Sequence, residues 1–365
     1  MNENSIVLVV VCLDGVSWDY IEAADTPFLD GVGREGVAAT CMAMVPTVTN
    51  VNNASIITGA FPEEHGISTN WYYDPASGVE VYMDSSRFLT CPTILERATA
   101  RGERTLLLTV KDKLRRLLAR NVTASYSTER PPPRLVEELG KPPSIYSLES
   151  SPWLLSAAEH ELRRRRWDMV YISTTDYIPH MHGPETPEAR EYMRRLDGGL
   201  EEIAKRVSVL GVVADHGMNE KKVNLDLVQL LGEARMEARF VAAIKDEHVV
   251  HHGNLGGSAY LYVDGDVERA RDMVASADGV EAVLTRAEAA ERFRLPEGRI
   301  GDLLVLADAD HTFGPNPGSV YADVQVRSHG SLHEREVPFI LSRGAEVGRK
   351  LYNKDVIPSL VKERP

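Results

Sequence analysis

The sequence predicts an α/β protein with a central, mostly parallel β-sheet sandwiched by helices and an inserted α+β cap. Residues 6–13 form a continuous β-branched run, which is typical of a strand buried on both faces of a parallel sheet. Such runs alternate with helical patterns through residue 214, as they do in α/β folds. From about residue 225 the pattern changes to shorter segments, which we expect to form the cap.

Apolar runs and the turn residues between them predict the elements of the core. Pro27 at a first helical position and Gly36 at its end mark one helix. Core strands are expected at 6–13, 37–44, 105–110, 169–173 and 207–214. Core helices are expected at 26–36, 54–59, 91–100, 114–120, 151–166 and 187–206. Two later runs, 320–326 and 337–341, are expected to return to the main sheet.

The chain length predicts more than one structural unit. At 365 residues the chain exceeds what one hydrophobic core usually serves. We predict a metal-binding catalytic core formed by 1–224 and 321–365, and a cap subdomain formed by 225–320. Segments 240–244, 258–263, 267–277, 280–285 and 303–306 are expected to build the cap.

Charge and composition exclude some partners. The net charge of −13 argues against nucleic acid or an anionic membrane surface as the main partner. An anionic substrate must then be attracted by a local site. The three cysteines, Cys12, Cys41 and Cys91, match neither a disulfide framework nor a zinc finger. The apolar run 6–13 is too short to span a membrane and wrongly flanked for a signal peptide, so a cytoplasmic protein is expected.

Thr49 is the candidate nucleophile. It lies in the stretch 45–53, where a loop leads into a predicted helix. Backbone N–H groups and the helix dipole at such a position favour an anion. A hydroxyl becomes a nucleophile only where something lowers its pKa, and otherwise Thr49 is an N-cap or turn residue. The assignment therefore depends on acidic and imidazole side chains elsewhere.

Asp and His residues follow the ends of several predicted strands. The carboxyl ends of parallel strands meet at one edge of the sheet, so these side chains can converge. Carboxylates and imidazoles together suit two zinc-like ions. One ion is expected to take Asp14, Asp215, His216 and the Thr49 oxygen, and the other Asp176, His180 and His329. His329 is preferred to His333 because its segment directly follows a strand.

Several segments carry a resemblance to a known family. They are 12–15, 26–30, 46–53, 55–59, 62–67, 176–180, 215–218 and 327–330. On these segments the chain resembles the alkaline phosphatase superfamily, in its nucleotide pyrophosphatase/phosphodiesterase branch. Within that branch it is most similar to the phosphonoacetate hydrolases, through 111–115, 249–256 and the asparagines of 49–53. Val51 departs from that pattern, which usually has proline there.

The resemblance implies a di-metal hydrolase that uses two zinc ions, or other divalent transition metals, and a phospho-Thr49 intermediate. The implied reaction cleaves the C–P bond of phosphonoacetate to give acetate and phosphate. Lys111 and Lys113 are implied to hold the substrate carboxylate and to stabilise its developing charge. Asn52 and His252 are further substrate-binding candidates. The expected partner is therefore a small anionic phosphonate or phosphate ester.

Other interpretations stay open at this point. The main alternative is a type I phosphodiesterase or nucleotide pyrophosphatase acting on phosphate diesters, with the aromatic residues at 71–73 walling a nucleobase. A catalytically silent scaffold would be expected to lose ligands, and no loss is visible. Lys221, Lys222 and His251 could also reach substrate, and the chain could form a homodimer.

Overall fold

The computed structural model describes residues 7–245, 253–342, 348 and 350–361. The strands are β1 (Leu8–Cys12), β2 (Val37–Met42), β3 (Trp71–Asp74), β4 (Val79–Tyr82), β5 (Thr105–Thr109), β6 (Ala124–Ser127), β7 (Met169–Ser173), β8 (Val209–Val213), β9 (Asn219–Leu225), β10 (Glu237–Ala242), β11 (Ser258–Asp264), β12 (Val280–Thr285), β13 (Leu303–Ala307), β14 (His311–Phe313), β15 (Tyr321–Ser328) and β16 (Glu336–Leu341). The α-helices are α1 (Trp18–Ala23), α2 (Pro27–Glu35), α3 (Thr49–Thr58), α4 (Pro62–His65), α5 (Ile94–Ala100), α6 (Asp112–Leu118), α7 (Pro133–Leu139), α8 (Ser150–Arg164), α9 (Tyr177–Met181), α10 (Pro187–Ala204), α11 (Leu227–Glu233), α12 (Val267–Ala275), α13 (Arg286–Phe293) and α14 (Val356–Val361).

A seven-stranded sheet forms the core and confirms the predicted fold class. Its strand order is β2-β16-β8-β1-β7-β5-β6. The β1 strand pairs in parallel with both β7 and β8, whereas β16 runs antiparallel between β8 and β2. Side chains of β1 alternate between two buried clusters, with Val10 in one and Val9 and Val11 in the other. Burying each such side chain contributes about 1.5–3 kcal/mol, so the apolar run fixes β1 at the centre of the sheet.

The segment before the last core strand differs from the prediction. Residues 337–341 do lie in the main sheet, as β16, but 320–326 do not. Residues 321–326 belong to β15, which pairs antiparallel with β9 in a separate three-stranded sheet that β14 completes. The side chains of β15 alternate between exposed and partly buried positions, a pattern that fits a sheet with one solvated face.

A four-stranded antiparallel sheet in the order β10-β11-β13-β12 forms the centre of the cap. The β3–β4 hairpin joins this sheet to the core. Tyr262 of the cap donates its hydroxyl to the Tyr73 carbonyl at 3.1 Å, and Trp71 Nε1 donates to the Lys245 carbonyl at 2.7 Å. The hairpin therefore lies against the cap beside the edge of the main sheet.

No helix in the described part of the chain is both long enough and apolar enough to cross a lipid bilayer.

Candidate active site

Four neighbouring parallel strands end at one edge of the sheet, and a charged residue follows each. In sheet order β8, β1, β7 and β5, these residues are Asp215, Asp14, Asp176 and Lys111. Each strand is buried, so the first charged residue beyond it lies where the loops of this edge converge. The fold thus brings together side chains that are up to 201 residues apart in the chain.

Asp14, Asp215 and His216 form the first candidate metal group, called here the β1–β8 group. Three oxygens surround the Nε2 atom of His216. Thr49 Oγ1 lies 3.4 Å from it, Asp14 Oδ1 3.5 Å and Asp215 Oδ2 3.6 Å. The nucleophile candidate therefore contacts the same atom as both carboxylates.

Asp176, His180 and His329 form the second candidate, called here the β7 group. Asp176 Oδ2 lies 3.3 Å from His180 Nε2 and 3.9 Å from His329 Nε2. The rings of His216 and His329 stack with centroids 3.6 Å apart, so the two groups are adjacent.

All three imidazoles of these groups are held in the same tautomer. Their Nδ1 atoms lie against backbone carbonyls: His180 at 2.7 Å from Arg327 O, His216 at 3.0 Å from Gly217 O, and His329 at 2.6 Å from Thr47 O. Because a carbonyl can only accept, Nδ1 carries the proton and Nε2 presents its lone pair to the carboxylates. This is the arrangement found in metal-ligating histidines.

His65 has the opposite tautomer and lies outside both groups. Its Nδ1 accepts from the Ile67 N–H at 3.1 Å, so Nε2 donates to Ser55 Oγ at 2.8 Å. Burial, with the nearby positive charge of Arg299, lowers the pKa of His65 to about 3. His65 therefore serves a structural role as a neutral ring.

The positive charges of the protein alone do not balance the buried carboxylates of Asp14 and Asp215. Burial, followed by the charges of Asp176 and Asp215, raises the pKa of Asp14 well above its ordinary value. Burial also raises the pKa of Asp215 to about 7, against the N–H donors that favour its ionised form. Both Asp14 carboxylate oxygens are buried and accept no hydrogen bond from a donor in the described ranges. Such a set is stabilised by cations.

The spacing of the donor atoms also fits divalent cations. A tetrahedral ion with bonds of about 2.0–2.1 Å holds its ligand atoms roughly 3.3–3.4 Å apart. The separations of 3.4–3.6 Å around His216 Nε2, and of 3.3 and 3.9 Å from Asp176 Oδ2 to the two imidazoles of the β7 group, are near this value. The residues present thus fit one ion in each group.

Thr49 is the first residue of α3, a ten-residue helix with Val48 at its N-cap. The Thr49 side chain is 7% exposed and lines a small pocket together with Asp176, His180 and His329. An anion bound there would meet the N-terminal end of α3. The hydroxyl is therefore placed between both candidate groups and the pocket.

Lys111 and Lys113 line the same pocket in different ways. Lys111 Nζ donates to Asp176 Oδ1 at 2.6 Å. Burial opposes its charge, but the carboxylates of Asp176 and Asp14 outweigh burial and raise the pKa of Lys111. Lys113 Nζ lies 5.1 Å from the centroid of the Tyr82 ring.

Asn52 does not reach the pocket, contrary to the prediction. Its side chain is fully buried. Its Oδ1 accepts from Met44 N–H at 2.6 Å and from Asn353 Nδ2 at 2.9 Å. Its Nδ2 donates to the carbonyls of Met44, Pro46 and Val48. Asn52 therefore holds the loop that precedes α3 and is not available to a substrate.

Three other residues considered in the sequence analysis do not line the pocket either. Lys221 is fully buried and donates to Glu334 Oε1 at 2.9 Å, and the exposed Lys222 pairs with Asp310. His333 lies against Glu281 at the surface, so it does not compete with His329. His251 and His252 lie outside the described residues.

The aromatic wall proposed for a nucleobase does not form at 71–73. Tyr72 packs against Phe88, Tyr73 against Tyr262, and Trp71 against Tyr82, and none of the three lines the pocket. Their side chains instead hold the hairpin between cap and core.

The sequence analysis gave no role to several residues of the site. Asn70, Tyr82 and Lys245 line the pocket, and Asn53 contacts Asp215. Asn53 could have been found, because it lies four residues after Thr49 and so on the same helix face. The other three come from the β3–β4 hairpin region and the end of β10, whose approach to the sheet edge depends on tertiary packing.

The chain belongs to the type I phosphodiesterase/nucleotide pyrophosphatase family, whose profile matches residues 8–332. This confirms the predicted branch of the alkaline phosphatase superfamily and makes the protein a hydrolase.

Among solved structures, phosphonoacetate hydrolase from Sinorhizobium meliloti 1021 in complex with phosphonoformate is similar, with 34% identity and a TM-score of 0.92. The match covers 99% of this chain and 96% of that one. The complex of that enzyme with phosphonoacetate is 33% identical with the same TM-score and coverage.

More distant relatives share part of the sequence or only the fold. Human ectonucleotide pyrophosphatase/phosphodiesterase family member 7 is 27% identical over 229 residues, which are 58% of this chain. The match spans 47% of that relative, about half its length. Murine ectonucleotide pyrophosphatase/phosphodiesterase 5 has the same fold, with a TM-score of 0.71 and 19% identity over 98% of this chain and 94% of that one.

Proposed function

We propose that this protein is a di-metal hydrolase that cleaves the C–P bond of phosphonoacetate through a phospho-Thr49 intermediate. The proposed ligands of one ion are Asp14, Asp215, His216 and Thr49, and those of the other are Asp176, His180 and His329. Zinc is the expected metal, because imidazole and carboxylate ligands in tetrahedral spacing suit it.

The observation that carries the substrate assignment is the pair Lys111 and Lys113, which line one pocket with Thr49. Two ammonium groups there match a substrate that carries a carboxylate next to its phosphonate. The similarity to a phosphonoacetate hydrolase over nearly the whole chain supports the same assignment.

The proposed reaction has two displacements. Thr49 Oγ attacks phosphorus as its hydroxyl proton passes to solvent, the C–P bond breaks, and the electron pair of that bond passes to the methylene carbon as an enolate-like anion. The Lys113 and Lys111 ammonium groups stabilise that anion through its carboxylate, and a proton converts it to acetate. Water then attacks phosphorus, which breaks the phospho-Thr49 ester, releases phosphate and returns the hydroxyl.

The two cations would supply positive charge that favours the ionised Thr49 hydroxyl and offsets the negative charge of the phosphonate oxygens. The three Nδ1–H bonds to backbone carbonyls keep the imidazoles oriented for this role.

The alternative is hydrolysis of phosphate diesters at the same site, which the family match favours. Parallel assays on phosphonoacetate and bis(p-nitrophenyl) phosphate distinguish the two. We expect phosphate and acetate in equal amounts from phosphonoacetate, with the higher kcat/KM. Turnover of the diester without acetate production would support the alternative.

Cytoplasmic location and homodimer formation remain predictions. Light scattering during size-exclusion chromatography measures the oligomeric state directly.

A further inference from the structure

Asn53 connects three functional parts of the protein through one buried amide. Its Nδ2 donates to Asp215 Oδ2 at 3.0 Å and to the Thr49 carbonyl at 3.1 Å. Its Oδ1 accepts from the Tyr171 hydroxyl at 2.8 Å. Asn53 and Tyr171 are both fully buried, so water does not compete for these bonds. The amide thus joins the helix of the nucleophile, a proposed metal ligand and the centre of β7.

The chemistry of the partners fixes the orientation of this amide. The carboxylate and the carbonyl are acceptors, so the NH₂ group must face them. Reversing the amide would place its oxygen against both acceptors, and Tyr171 would then face an NH₂ group. Burial, with the neighbouring acidic groups, raises the pKa of Tyr171, which keeps its hydroxyl protonated as a donor.

The two oxygens of Asp215 have different surroundings. Oδ1 accepts backbone N–H bonds from Gly15 at 3.1 Å and from His216 at 3.0 Å. Oδ2 accepts the Asn53 amide and is the oxygen that lies 3.6 Å from His216 Nε2. The Asn53 bond therefore acts on the oxygen that faces the β1–β8 group.

We propose that Asn53, oriented by Tyr171, is a positioning residue that fixes Asp215 Oδ2 relative to Thr49 and so sets the affinity of the β1–β8 group for its ion. This inference rests on the proposed metal sites. The β7 group is oriented by other bonds, namely those from its two imidazoles to Arg327 O and Thr47 O and from Lys111 to Asp176. Loss of Asn53 should therefore weaken one ion and spare the other.

Metal titration of each group by itself tests the proposal. His180→Ala removes a ligand of the β7 group and His216→Ala one of the β1–β8 group, so each background isolates one site. Asn53→Ala and Tyr171→Phe are added to each background. The metal-free proteins are titrated with Zn²⁺ against a chromophoric chelator, which gives dissociation constants without any activity assay.

In the His180→Ala background we expect Asn53→Ala to raise the Zn²⁺ dissociation constant about 10- to 100-fold and Tyr171→Phe about tenfold. In the His216→Ala background both should leave it unchanged. Tyr171→Phe removes one hydroxyl only, so it keeps the test available if Asn53→Ala does not fold.

Asn224→Ala and Tyr260→Phe are matched controls, since both residues are buried and donate to the carbonyls of Gly314 and Ser68, which belong to neither group. They should alter neither constant. The positioning role would be overturned if Asn53→Ala and Tyr171→Phe raised the Zn²⁺ dissociation constant equally in both backgrounds, or in neither. If the unmodified protein binds no transition metal, the proposed metal function itself fails, which is a separate and recognisable result.

Discussion

Replacing Lys113 with alanine is the sharpest test of the substrate assignment. Lys113 lines the pocket and contacts the Tyr82 ring, whereas Lys111 also donates to Asp176. Removing Lys111 would disturb a proposed metal ligand and so affect every substrate. Removing Lys113 takes one positive charge from the pocket and leaves that ion pair intact.

The size of the effect should depend on the leaving group. Loss of a group that stabilises developing negative charge typically costs about 2.7–4 kcal/mol, or about 10²–10³ in kcat. We expect a loss of this order with phosphonoacetate, whose leaving group is a carbanion that must delocalise into the carboxylate. The leaving group of bis(p-nitrophenyl) phosphate needs no such help, so its rate should change only about twofold, or about 0.5 kcal/mol.

The assay measures kcat and kcat/KM for both substrates with unmodified protein, Lys113→Ala and Lys222→Ala. Lys222 is a surface lysine paired with Asp310, so it controls for loss of one positive charge from an acidic protein. Equal losses on the two substrates in Lys113→Ala would refute the reasoning, since Lys113 would then support only the fold or the general field.

Three further predictions concern the nucleophile, the metals and pH. Thr49→Ala should abolish turnover while two metal ions remain bound, and Thr49→Ser should keep measurable activity; turnover by Thr49→Ala at the unmodified rate would exclude Thr49 as nucleophile. Elemental analysis should find two transition-metal ions per chain, lost together with activity on chelation and restored with them; full activity without metal contradicts the site. The pKa of His65 is about 3 in the folded protein and near 6.5 in the unfolded chain. The unfolded chain therefore takes up a proton first as the pH falls below 6.5, and the free energy of unfolding decreases by about 1.4 kcal/mol per pH unit. The difference in unfolding free energy between the unmodified protein and His65→Asn, measured with urea from pH 7 to 5, should shrink accordingly, and a constant difference would contradict it.

The grouping of the Asp and His side chains could be predicted from strand ends because buried parallel strands leave a strong signal in the sequence. Residues 169–173 were predicted as a strand and form β7, and the residues that follow β1, β7 and β8 gather into the two sets that the sequence suggested. Apolar runs determine where such strands end, and parallel pairing then determines that their ends meet.

The missed features depend on information that a local pattern lacks. The β9 strand reads Asn-Glu-Lys-Lys-Val-Asn-Leu, whose charges hide its pairing with β15. Asn52 and Asn53 are adjacent and chemically identical. Successive residues of a helix point in different directions, so Asn52 faces the loop before α3 and Asn53 faces Asp215. The pocket residues of the β3–β4 hairpin region reach the sheet edge only because the hairpin packs between the cap and the core.

The position of β16 has a consequence for synthesis of the chain. This strand separates β8 from β2, and it pairs residues 336–341 with 37–42 across nearly the whole sequence. Until it emerges from the ribosome, β8 and β2 each keep an open edge that can pair with another nascent chain. The loop that carries His329 precedes β16 directly, so the β7 group also lacks a ligand until then. Completion of the β7 group and closure of the sheet should therefore both wait for synthesis of residues 329–341.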